Sequence, residues 1–188
     1  MAFYGGQAFV AASNPTLTAT GTNPHPAVNM MSITAKGVAV KPILAGNAMA
    51  KDIVTGKMVQ LNLTDPDSLT NINNGIMLVD QGDAELIYIA NPGKANQTVS
   101  RLGVGTQLDD TVYATSSVGT LFVVDEAAGI IYRTPPRSHF TTGTLYTEAP
   151  GDSGVAAFVG IVSTTTGAIL PIAIGFQSPS GLLFAPGI

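Results

Sequence analysis

The chain has 188 residues, with 8 Lys or Arg against 12 Asp or Glu and a net charge of −4. A chain of this length can bury a real core in one domain, or in one domain with extended arms, yet only 11% of it is charged, against about 25% in an ordinary soluble domain. No stretch approaches the roughly 18 consecutive apolar residues of a membrane-spanning helix. A 45% hydrophobic content excludes a typical disordered chain, and an acidic balance without a basic cluster argues against nucleic-acid binding.

Cysteine is absent, which removes disulfides, thiolate nucleophiles and Cys-based zinc or iron–sulfur sites together. His25 and His139 are the only histidines, too few for a multi-His metal site, so neither a metal nor a cofactor is expected. The opening Met-Ala-Phe-Tyr-Gly-Gly-Gln has no basic n-region and no long apolar stretch, so synthesis in a cytoplasm without a secretory signal is the expectation.

Residues 1 to 32 read as an extended N-terminal arm, with a β domain over 33 to 188. Pro15, Pro24 and Pro26 each remove a backbone donor and bias their neighbours toward extended conformations. The Gly, Thr and Asn between them disfavour helix. Such an arm can lie against another subunit or add a strand to an open sheet edge.

From Ser32 onward short β-favouring runs alternate with turn residues. Val59, Leu61 and Leu63 alternate with Gln60 and Asn62, the period of a half-buried strand. Further strands are predicted over 75–79 and 84–90, joined by a short Asp80-Gln-Gly-Asp83 loop, then over 111–115, 121–124, 130–132, 155–162 and 168–174. Glycines in Ser116–Thr120, Asp125–Gly129, Thr141–Thr144 and Ser163–Gly167 stand just before new apolar runs, where a left-handed residue ends a hairpin loop. Helix evidence is confined to Ala45–Asp52, enough for two turns, and Asp65–Thr70, with Asp65 as cap and Pro66 at the first position. The predicted class is all-β, a sandwich or small barrel of short antiparallel strands.

Charge is unevenly placed. Residues 1–35 carry none, and nothing after Asp152 is charged. Soluble monomers expose charge along their whole length, so two neutral ends imply covered surface, by the domain itself or by partner subunits.

Among motifs, Pro150-Gly-Asp-Ser-Gly154 resembles the nucleophile loop of trypsin-like serine proteases, which are also all-β. That resemblance implies Ser153 as nucleophile, with the N–H groups of Gly151 and Ser153 as the oxyanion hole. His25 would be the base, oriented by Asp80, Asp83, Asp109 or Asp110, in the family's His…Asp…Ser order. The pattern departs from the family in that His25 lies between two prolines with only 24 residues before it. His139 breaks the chain order. A plain β-turn accounts for Gly-Asp-Ser-Gly as well, and the expectation is of a protein that is not an enzyme.

The remaining polar signals are local. Asp109 and Asp110 are adjacent and point to opposite faces of a strand. The acids of Asp65-Pro-Asp67, Asp80–Asp83 and Asp125-Glu126 fall in turns, without the spacing of a calcium loop. Gly103-Val-Gly105 lacks the rest of a dinucleotide fingerprint. Arg133, Arg137 and His139 flank a Pro-Pro loop and could form a small cationic patch.

Four segments carry a broader likeness: Gly56-Lys-Met-Val-Gln-Leu61, Leu102-Gly-Val-Gly-Thr-Gln-Leu-Asp-Asp-Thr-Val-Tyr113, Ser116-Ser-Val-Gly-Thr-Leu-Phe122 and Val159-Gly-Ile-Val-Ser-Thr-Thr-Thr-Gly-Ala168. Together they resemble the capsid decoration (cement, or head-stabilising) proteins of tailed bacteriophages. The resemblance implies a virion structural protein on the outer surface of an icosahedral capsid. It would bridge major capsid subunits, act as a homo-oligomer with a trimer as the expected state, and hold the shell through residues 1–32 and the neutral C-terminal stretch. A tail, baseplate or head-fibre component is the alternative within virion proteins. The closing Phe176–Ile188 has no counterpart in the family.

Overall fold

The computed structural model describes residues 1–152 and 154–187. They fall into two compact units, Met1–Gly103 and Val104–Ile188. Among the described residues all regular structure is β-strand, so the chain is all-β as predicted.

The first unit holds two sheets. Strands β1 (Ala2–Tyr4), β2 (Gln7–Ala11), β3 (Pro26–Thr34) and β4 (Gly37–Ala45) form an antiparallel sheet in chain order. The second sheet takes β5 (Met49–Asp52), β6 (Met58–Gln60), β7 (Pro66–Ile72), β8 (Gly75–Asp80), β9 (Glu85–Ala90) and β10 (Thr98–Gly103), in the order β6-β5-β10-β9-β8-β7. Its one departure from the antiparallel expectation is β5 beside β10, which pair parallel with Ser100 opposite Lys51. Phe9, Val28 and Leu44 of the first sheet meet Leu63, Ile76, Leu78, Ile87 and Ile89 in one buried cluster. Burial on both faces explains why β8 reads as an unbroken apolar run, Gly75-Ile-Met-Leu-Val-Asp80.

This cluster corrects the arm. Residues 1–32 were expected to be extended and separate, but β1, β2 and most of β3 are sheet, and Ala2, Phe9, Ala27 and Val28 are core. Gly5 and Gly6, at φ of 57° and 76°, make the two-residue turn that joins β1 to β2. Only 12–25 runs without a strand, and even there Asn23 is buried, its amide donating to the Leu63 carbonyl at 2.7 Å. The boundary expected at 32/33 lies instead at 103/104.

Neither short helix forms: Ala45 ends β4, 46–48 turn, and Met49–Asp52 and 66–70 are strand. Residues Met49–Asp52 alternate exposed and buried, because pairing with β6 and β10 outweighs a weak local preference. Pro66 opens β7, an edge strand where a missing N–H is tolerated. The Asp65 N–H goes to the Asp80 carboxyl at 2.9 Å.

The second unit has β11 (Thr111–Tyr113), β12 (Val118–Asp125), β13 (Ile130–Arg133), β14 (Ser138–His139), β15 (Leu145–Ala149), β16 (Phe158–Val162), β17 (Ile169–Ile174) and β18 (Pro179–Pro186). One sheet runs β11-β15-β16-β17. The other is built on β12, with β13 and β14 along one edge and β18 along the other. Strand β12 alternates strictly: Leu121, Val123 and Asp125 are buried, whereas Phe122 and Val124 face outward. Phe140 holds the inner side, edge-on to Tyr146 (5.8 Å) and Phe184 (5.0 Å). Gly129, Gly143 and Gly167 take positive φ at the predicted hairpins. Gly119 does not; it lies in β12 under Phe184, where a Cβ would come within 2.4 Å of the ring.

Candidate functional site

The residues of the protease reading do not assemble. His25 is exposed just before β3, its backbone N–H bonded to Asn23 Oδ1 at 2.9 Å. Asp80 ends β8 fully buried. No hydrogen bond joins the two, and Asp80 accepts from the Asp65 backbone instead. Ser153 lies outside the described residues. Of the other acids considered as orienting groups, Asp83 accepts from the Thr64 N–H and hydroxyl. Asp110 accepts from the Thr111 and Leu182 N–H groups.

The buried polar groups instead fasten strands together. Arg101 on β10 bonds Glu85 on β9 at 2.6 Å and Asp52 on β5 at 2.8 Å. Hydrogen bonds from the Thr55 N–H and hydroxyl, then Arg101, hold the Asp52 carboxyl down at about 2. Asp80 is the opposite case. Desolvation pushes its pKa up to about 8, with Asp83 and Glu85 adding to the rise against the Asp65 N–H. Its Oδ2 makes no hydrogen bond. In the second unit Asp125 is 1% exposed; burial would raise it, but N–H bonds from Ser178, Gln177 and Ala128 hold it low.

What the chain presents outward is apolar strand. The β3–β4 hairpin runs past the end of β2 as a two-stranded ribbon. One apolar face holds the cross-strand pair Ile33–Val38 in the ribbon and continues into Met31–Val40, where Met31 also pairs with Ala8 of β2. Ile33 is 94% exposed, and Val38 and Val40 are 60% exposed each. Ser32, Thr34 and Lys41 lie on the other face.

On the second unit the outer side of β13-β12-β18 forms a hollow of about 280 Å³. Ile131, Val124 and Gly181 form one cross-strand row of it, and Phe122 and Leu183 a second. Asp110 lines it at the outer edge of β18.

The third apolar surface is β17, an edge strand exposed from Leu170 through Ile174. The Ser163 N–H bonds the Ala168 carbonyl at 2.8 Å, and the alternation of an antiparallel ladder from there turns the Pro171 nitrogen away from β16.

Arg137 and His139 meet in a shallow depression with Ser116, Ser117 and Val118, whereas Arg133 lies on β13 opposite Phe122. Among the described residues no three of His, Cys, Asp and Glu gather as for a metal ion, and no helix is long and apolar enough to cross a membrane. The chain matches no protein-family model, no characterised protein and no solved structure.

Sequence reasoning passed over both the ribbon and the hollow. The ribbon had a signal: Met31-Ser-Ile-Thr34 and Val38-Ala-Val-Lys41 alternate about Ala35-Lys36-Gly37. The hollow had none, because Gly181 acquires its neighbours only through pairing with distant β12.

Proposed function

We propose that the chain is a structural assembly protein, and specifically one that decorates the outside of an icosahedral bacteriophage shell and stabilises it by bridging capsid subunits. The observation that carries the reading is β17: an edge strand with five consecutive exposed residues, inside a stretch of 36 residues without a charge. Exposed apolar patches of this kind mark protein–protein contact. An uncharged surface buries without leaving an unpaired ion. Bridging neighbouring subunits adds buried area across their joint and needs no chemistry. The likeness of four segments to decoration proteins supplies the choice of shell as partner.

The test is co-sedimentation with expanded, emptied tailed-phage capsids, with isolated phage tails in a parallel arm. Binding to shells that is lost in a Leu170→Lys/Ile174→Lys double variant is the expected result. Binding to tails alone would establish the tail or baseplate alternative. Binding to neither would end the virion reading.

A further inference from the structure

The ribbon and the hollow are complementary, and we propose that they are two halves of one contact: the β3–β4 ribbon of one copy seats in the β13-β12-β18 hollow of the next. The occupant of each surface is therefore a second copy of this chain, joined head to tail.

The apolar match comes first. Ile33 and Val38 stand side by side near the ribbon tip and reach into solvent. A two-stranded ribbon with one bare apolar face is marginal in water and gains from being covered. The hollow offers Phe122, Val124, Ile131 and Leu183 as walls around Gly181. At about 280 Å³ it falls just below the about 300–1,000 Å³ of small-molecule pockets, and it is open, which suits one or two side chains rather than a metabolite.

Gly181 strengthens the argument. Its φ is not in the left-handed region, and a Cβ there would make only ordinary contact, 3.7 Å from Val124. Folding does not demand glycine at this position. A side chain, however, would stand in the hollow and fill it.

Charge agrees. The ribbon carries Lys36 in its turn, and the chain has no acid before Asp52. The second unit has Arg133 and Arg137 against six carboxylates. Asp110 lines the hollow at its β18 side, whereas Arg133 pairs with Phe122 from β13, so the lysine of the ribbon turn favours entry from the Asp110 side.

The two surfaces are different, so the contact is heterologous: each copy gives a ribbon and takes one, and the chain of contacts closes into a ring or continues. Four ribbon side chains cover far less than the about 800 Å² per partner of a stable pair, so a single contact is weak. Closure, in which every copy uses both surfaces, is what makes the assembly hold.

The experiment is native mass spectrometry and light scattering on the full chain and two variants, Ile33→Asp and Gly181→Leu, with circular dichroism confirming folding. Wild type is expected to assemble at tens of micromolar. Each variant alone is expected to be monomeric, its dissociation midpoint raised by about thirtyfold or more. Mixed in equal amounts at about ten times the wild-type midpoint, they are expected to form a weak one-to-one heterodimer and nothing larger, because each retains the half the other lacks and only one contact can form. Val38→Asp and Gly181→Met repeat the test should a first variant fail to fold. Wild type that stays monomeric, a Gly181→Leu protein that assembles like wild type, or a mixture without heterodimer would each overturn the proposal. Assembly lost only with the ribbon variants would mean ribbon packed on ribbon. Shell binding through β17 is scored separately on the monomeric variants, so one reading can fail without the other.

Discussion

Asp80 and Glu85 face each other across the β8–β9 ladder, yet only Glu85 reaches a cation, Arg101 at 2.6 Å. Asp80 is left with one backbone N–H and an Oδ2 without a partner. The pair sets a carboxylate held by an ion pair beside one whose burial favours the neutral acid.

Stability therefore depends on Asp80 in a definite direction. Between pH about 4 and pH about 8 the folded protein keeps a proton that the unfolded chain has released, so stability falls as pH rises, by at most about 1.4 kcal/mol per pH unit from this group. The contribution is whole below the unfolded pKa and gone above the folded one. Asp80→Asn is expected to flatten that slope, and denaturant unfolding at a series of pH values measures it. An unchanged slope would show that Asp80 is ionised in the native state.

Asp52 acts in the reverse sense. Its carboxyl is held at about 2, so its stabilisation is present above the ordinary carboxylate range and disappears as pH falls through about 2. Arg101→Met strands both Asp52 and Glu85 at low exposure. We expect a clearly lower melting temperature at neutral pH, and less difference from wild type near pH 2, where the Asp52 carboxyl gains a proton of its own.

Phe9 tests the corrected boundary. It is 1% exposed in the core of the first unit, so Phe9→Ala is expected to cost about 3–5 kcal/mol of unfolding free energy. Chemical denaturation of the full chain reads this directly. A cost under about 0.5 kcal/mol, the size of a surface substitution, would return the N-terminus to the status of a detachable arm.

Pro171 guards an edge. Its nitrogen faces away from β16, so a strand arriving beside β17 finds a donor missing. Pro171→Val restores the donor in a strongly β-favouring, uncharged strand. Faster aggregation is the expected outcome, followed by light scattering and dye binding at equal protein concentration.

A fluorophosphonate probe is expected to leave the protein unlabelled, because His25 is exposed and has no hydrogen bond to Asp80. One adduct on Ser153, absent from Ser153→Ala, would instead establish the nucleophile.

Legibility in the sequence followed how each strand is buried. Strands β8, β9, β12, β16 and β17 were readable because apolar runs bounded by turn residues leave few other options. Strands β1 and β2 were hidden by their surroundings: the apolar runs Ala2-Phe-Tyr and Gln7-Ala-Phe-Val-Ala about the Gly5-Gly6 turn are short, and the three prolines downstream give the stretch the composition of an arm. Residues 65–70 carried a real helix-start pattern, which lost to the pairing of β7 with β8. The surfaces were harder still. A hollow is a relation between strands, and nothing near Gly181 in the chain predicts Phe122, Val124 and Ile131 as its neighbours.

The place of β10 also fixes an order of events. It lies between β5 and β9, so the β5–β6 hairpin and the β7–β9 meander have no strand in common until residues 98–103 arrive. Arg101, on that same strand, then ties Asp52 on one side to Glu85 on the other. A nascent chain emerging from a ribosome carries two unjoined pieces of one sheet until Gly103 is free, and a contact that spans so much sequence forms slowly. The second sheet of this unit therefore closes only when its last strand is laid into the middle.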